Sequence, residues 1–155
     1  MHQQCKRSMK ALMSKAFSQE LYDDDDSAKL LILDWLETRG FVVFVNPDEY
    51  GIDLLGRYNN MDYAFEVEVK HNWKGDVFPF DSVHYSARKR KFVQPDVRAY
   101  FITVNHERTR CLIVGWQDFM AGKLVEKSTI YTKNEWFVEI AIRRAIFREL
   151  NMEGK

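Results

Sequence analysis

The stretch "EYGIDLLGRYNNMDYAFEVEVKHNWK" (residues 49–74) holds two strand-like runs, GIDLLGRY and DYAFEVEVK, joined around the turn-prone pair Asn59-Asn60. Side chains alternate across a strand, so Tyr63, Phe65, Val67 and Val69 share one face and Glu66, Glu68 and Lys70 share the other. A two-residue turn pairs positions summing to 119 and sets Asp53 opposite Glu66, whereas a turn one residue later sums to 121 and sets it opposite Glu68. In either register Asp53 lies on the charged face. Carboxylates brought together in this way repel unless they share a cation. Asp53 also stands in an apolar context, Ile52-Asp53-Leu54-Leu55, where an unpaired carboxylate is costly. Oxygen donors without His or Cys suit Mg²⁺ or Mn²⁺ better than zinc. A plainer reading is an antiparallel strand with a wet outer face, which predicts separated carboxylates and no metal affinity. Pro47-Asp48 comes earlier, but in the same register Asp48 pairs near residue 71 or 73, past the charged strand.

Upstream, the apolar run FVVFVN (41–46) reads as a buried strand. Residues 1–22 read as a helix, basic in its first half, with an irregular apolar stripe. Asp23 to Asp26 break that segment and open a second helix from about Ser27 to Arg39, where carboxylates suit the amide end and Gly40 supplies the stop. Downstream, DSVHYSARKRKFV (81–93) reads as a helix ended before Pro95, followed by strands RAYFITVN and RCLIVGW. QDFMAG forms a short helix stopped by Gly122. Thr132 and Glu135 have capping-box spacing ahead of a final helix, about 133–150. The order α-α-β-β-β-α-β-β-α-α predicts one α/β domain with a mixed central sheet of about five strands flanked by helices. Residues 1–26 are expected to be a helical extension and 27–155 the domain proper.

A chain of 155 residues with 46% hydrophobic content can bury a core without disulfides or a structural metal. Cys5 and Cys111 form no CxxC pair, which fits a reducing compartment and points to the cytoplasm. No segment is long and apolar enough for a membrane helix, and the N-terminus lacks the apolar core of a signal peptide. Formal net charge is zero, so charge acts through local patches: the acidic run Asp23 to Asp26 and the basic run Arg88-Lys89-Arg90-Lys91.

Asp53, a gap of 14 residues, and Glu68-Val69-Lys70 on the next strand resemble the signature of the PD-(D/E)XK nuclease superfamily, and the order of elements from Ser27 to Trp116 resembles its restriction-endonuclease-like core. The chain departs from it in having Ile52 where the family carries proline. Gly40-Phe41 resembles the helix-to-strand junction of resolvase-like members, yet Lys29 stands where those carry a helix glutamate, with Asp26 one turn earlier. The resemblance implies a Mg²⁺- or Mn²⁺-dependent hydrolase of phosphodiester bonds in DNA, an endonuclease that is structure-selective or nicking, with RNA left open as a substrate. Asp53 and Glu68 would hold the metal with the Val69 carbonyl, and Glu66 would either hold a second metal or be a solvated neighbour. Lys70 would act on the attacking water or on developing charge. Phosphate grip would fall to Lys74 and to Arg88, Lys89, Arg90 and Lys91, with Lys89 sharing a helical face with Tyr85 and Ser86. His71 and His84 read as surface or loop histidines, and Trp73 as a packing residue. The N-terminal helix suggests a homodimer. The rival from another class is a catalytically silent nucleic-acid- or protein-binding module on the same fold.

Overall fold

The structure, a computed structural model, describes residues 19–128 and 134–151. Helix α1 (Gln19–Thr38) leads into β1 (Val42–Val45), β2 (Leu54–Tyr58) and β3 (Met61–Lys70). Then come β4 (Ser82–Ser86), a 3₁₀ turn over Ala87–Phe92, β5 (Val97–Asn105), β6 (Arg110–Gly115) and the short helix α2 (Trp116–Met120). β7 (Lys123–Lys127), β8 (Glu135–Ala141), a 3₁₀ turn over Ile142–Arg144 and β9 (Ile146–Glu149) complete the fold. It is a mixed α/β domain with a six-stranded sheet in the order β1-β2-β3-β5-β6-β9 and a three-stranded sheet in the order β4-β8-β7. β3 and β5 are parallel and the other paired strands are antiparallel.

The hairpin that the sequence singles out is present in the tighter of its two registers. Asn59 and Asn60 both have positive φ, 50° and 61°, the conformation of a type I′ turn, and Leu54 pairs with Phe65 and Tyr58 with Met61. The alternation on β3 sorts its side chains onto two cores. Phe65 and Val67 pack with Leu54, Ile102 and Val104 beneath Ala28, Ile32, Leu33 and Leu36 of α1. On the other face Ala64 and Phe101 pack against Val83 and Tyr85 of β4, Phe119 of α2 and Val138 and Ile140 of β8. Each fully buried aliphatic side chain contributes about 1.5–3 kcal/mol, so both layers fix the sheet between them.

Four expectations are corrected. The helix does not begin after the aspartates: α1 runs unbroken from Gln19 through Asp23 to Asp26 and ends at Thr38. Residues 1–18 lie outside the described residues. Gly40 does stop the helix, at φ +96°, and its amide donates to Glu37 O at 3.1 Å. The run at 41–46 is an edge strand instead of a buried one, with Val42 71% exposed. Residues 81–93 form a strand and a 3₁₀ turn instead of a helix, because Val83 and Tyr85 are buried at a spacing of two against β8. Residues 135–149 form β8 and β9 instead of a final helix. Thr132, the first residue of the expected capping box, lies outside the described residues. The main sheet thus has six strands, not about five, and one of its faces is covered chiefly by a second sheet.

Candidate active site

Asp53 lies one residue before β2 begins, and β3 continues past that end of its partner strand. The backbone groups of β3 beyond Phe65 therefore face an open side of the sheet, and Asp53 turns its carboxylate into that gap. Its Oδ2 accepts the Val67 amide at 2.8 Å, and its own amide donates to Glu66 Oε1 at 3.2 Å. Backbone direction alternates along a strand, so Val69 points its carbonyl to the same side as Val67. Asp48 is elsewhere: in the exposed loop after β1, its Oδ1 accepts the Tyr50 amide in a side-chain turn.

Two lysines connect the carboxylates. Lys29 of α1 lies 3.4 Å from Asp53 Oδ1 and 3.8 Å from Asp26 Oδ1. Lys89, in the 3₁₀ turn after β4, lies 3.3 Å from Glu66 Oε2 and 3.2 Å from Glu68 Oε2. The groups thus form a chain, Asp26, Lys29, Asp53, Glu66, Lys89 and Glu68, in which Asp53 and Glu66 are two acids side by side. Glu66 is held at the centre with its side chain 12% exposed, so the charged face of β3 is not a wet one at this point. Burial, and then the Asp53 charge, push its carboxyl up to about 7 against the opposing pull of Lys89. For Lys89, burial works against the ammonium, but the charges of Glu68 and Glu66 outweigh it and raise its pKa.

Lys70 extends from the same face, with its ammonium 5.1 Å from the centroid of Phe80. Behind Glu68, the Tyr85 hydroxyl and Thr103 Oγ1 are hydrogen-bonded at 2.7 Å, and burial followed by the Glu68 charge holds the phenol well above its ordinary range. His84 is half-buried on β4. Its Nε2 lies 2.9 Å from Glu139 Oε2 and 3.1 Å from Ser82 Oγ, and its Nδ1 meets the Lys127 ammonium. Burial lowers its pKa, which suits a neutral ring that donates to Glu139 and accepts from Lys127.

The residues expected to grip phosphate separate into two groups. Lys89 is drawn into the acidic cluster, whereas Lys74, Arg88, Arg90 and Lys91 are exposed. Arg88 pairs with Glu135 at 3.1 Å, and the Lys91 ammonium lies 5.4 Å from the Phe92 ring. Trp73 is fully buried, as a packing residue should be. The partner that sequence reading missed is Lys29. A signal for it exists: Lys29 is the one basic residue of α1, and it shares a helical face with the buried Ile32, Leu33 and Leu36. A lysine so placed needs an acid across the packing interface.

Three carboxylates and a strand carbonyl, all oxygen donors, suit a hard divalent cation in chemistry. Burial first, and then the neighbouring Asp53 charge, raise the Glu66 pKa despite the ammonium of Lys89. Among the described residues no three His, Cys, Asp or Glu side chains are arranged to hold a metal ion, and the carboxylates of Asp53, Glu66 and Glu68 are paired with Lys29 and Lys89. The oxygen donors suit a hard divalent cation in chemistry only, and holding one would require an ammonium contact to be exchanged for a metal contact.

No family model and no curated protein matches the chain. Among solved structures it is similar to Hjc, a Holliday junction resolvase from Archaeoglobus fulgidus, an archaeal hyperthermophile, at a TM-score of 0.49 and 13% identity over 74% of this chain and 83% of that chain. No helix among the described residues is long and apolar enough to cross a membrane.

Proposed function

We propose that the chain is a metal-dependent nuclease, an endonuclease that hydrolyses phosphodiester bonds in DNA. One observation carries the reading: the hairpin register sets Asp53 against Glu66 where β3 outruns β2, and Lys89 links Glu66 to Glu68. The resemblance of Asp53 and Glu68-Val69-Lys70 to the PD-(D/E)XK signature supports the same reading. Asp53 and Glu68 would hold Mg²⁺ or Mn²⁺ with the Val69 carbonyl, and Glu66 would add a further oxygen. When bound, the metal supplies charge neutralisation at the phosphoryl oxygens and a more acidic water.

The protein's own groups carry the other tasks. Lys70, held against Phe80, presents an ammonium to the water or to the charge that develops on the phosphoryl group. Lys89, once its carboxylates turn to the metal, becomes available to a phosphate oxygen from inside the site. Arg90, Lys91 and Lys74 offer exposed positive charge for the flanking backbone. A second reading is a catalytically silent binding module, and it is favoured by Lys29 and Lys89, which already supply counter-charge to the cluster.

Supercoiled plasmid separates the two readings. Nicking that requires Mg²⁺ or Mn²⁺, stops in EDTA and is lost in Asp53→Ala and Lys70→Ala is the expected result. DNA binding without metal and without cleavage by the wild type would favour the silent module.

A further inference from the structure

β3 and β5 run parallel in register up to the pair Lys70 and Asn105, so the next residue of each, His71 and His106, leave the sheet side by side. Their Nδ1 atoms are 3.1 Å apart, with ring centroids separated by 5.4 Å and the rings inclined at 68°. Two unprotonated ring nitrogens at this distance repel, and either one shared proton or one cation between them removes the conflict.

The backbone holding the pair is fixed on both sides. The His106 amide donates to Trp73 O at 2.8 Å, and the Trp73 amide donates to Lys70 O at 3.0 Å. Asn105 is fully buried; its Oδ1 accepts the amides of Thr109 and Arg110 at 2.8 and 3.0 Å, and its Nδ2 donates to Gly75 O at 3.0 Å. The Gly75 amide in turn donates to Glu107 Oε1 at 2.9 Å. Both rings are exposed, yet the chains carrying them are pre-positioned, which reduces the ordering cost of a shared ligand.

We propose that His71 and His106 form a two-histidine chelate for a borderline divalent transition metal, Zn²⁺, Ni²⁺ or Cu²⁺, separate from the carboxylate cluster. Metal–nitrogen bonds of about 2.0–2.1 Å span 3.1 Å at an angle of about 98°, between the square and the tetrahedral values. Imidazole nitrogen selects these metals over Mg²⁺. Among the described residues no third His, Cys, Asp or Glu completes a metal site, and Glu107 is engaged with Gly75, so water or a ligand oxygen takes the remaining positions. Such a site exchanges its metal readily. It also ties the residue directly after Lys70 to the turn that follows β5.

Calorimetric titration of the full chain with Zn²⁺ or Ni²⁺, in excess Mg²⁺, tests this in the wild type and in His71→Ala, His106→Ala and Asp53→Asn. The expected result is one binding event weakened at least about tenfold in each histidine variant and retained in Asp53→Asn. No saturable binding, binding unchanged in the histidine variants, or binding lost in Asp53→Asn would each overturn the proposal. Circular dichroism of the two histidine variants, which alter exposed side chains only, should be unchanged from wild type.

Discussion

Lys89 and Glu66 bear most directly on whether the acidic cluster is a metal site. Lys89 lies within 3.3 Å of both Glu66 and Glu68, where a divalent cation would compete with it. Lys89→Met should therefore tighten Mn²⁺ binding while destabilising the metal-free protein by on the order of 3 kcal/mol, since it leaves partly buried carboxylates uncompensated. Calorimetry with Mn²⁺ and denaturant melts in EDTA check the two halves, and unchanged affinity would remove Lys89 from the site. Glu66 gives a pH dependence. Its folded value of about 7 lies above its ordinary 4.5, so the folded state binds the proton more readily than the unfolded state. In metal-free protein its contribution to stability is fully present below about 4.5 and is lost as pH rises through about 7. Burial and the Asp53 charge both raise that value, so Asp53→Asn should bring the Glu66 midpoint down in a carbon-detected NMR titration. A midpoint unmoved by the substitution would mean that burial alone sets it.

At the level of elements, the Asn59-Asn60 turn decides whether Asp53 meets Glu66 at all. Both residues are left-handed, a conformation that costs other L-residues about 1–2 kcal/mol each. Asn59→Val should lower stability by about that much, whereas Asn59→Gly should be neutral or stabilising. Equal denaturation midpoints for the two variants would contradict the turn assignment. This hairpin was legible because strand alternation and turn chemistry both lie within one short stretch of sequence. The segments at 82–92 and 135–149 were not. ARKRKF is compatible with helix, and the burial of Val83, Tyr85, Val138 and Ile140 depends on β4 pairing with β8, elements distant in sequence. The run at 41–46 misled in the opposite direction, since its uniform apolarity carries no sign that Val42 sits on a sheet edge.

At the level of the molecule, both faces of the main sheet are covered, and each cover brings one lysine to the open end of β2. α1 packs on one face and delivers Lys29 to Asp53, while β4 and the 3₁₀ turn after it cover the other and deliver Lys89 to Glu66 and Glu68. The acids were therefore readable along the chain, whereas their lysine partners follow from long-range packing. The central claim is that Asp53 and Lys70 serve phosphodiester hydrolysis, and single-turnover cleavage of end-labelled duplex DNA in Mg²⁺ tests it most directly. Wild-type protein should cleave, and Asp53→Asn and Lys70→Met should each be slower by at least about 100-fold while remaining folded. Cleavage at the wild-type rate in either variant, or no metal-dependent cleavage by the wild type, would contradict it.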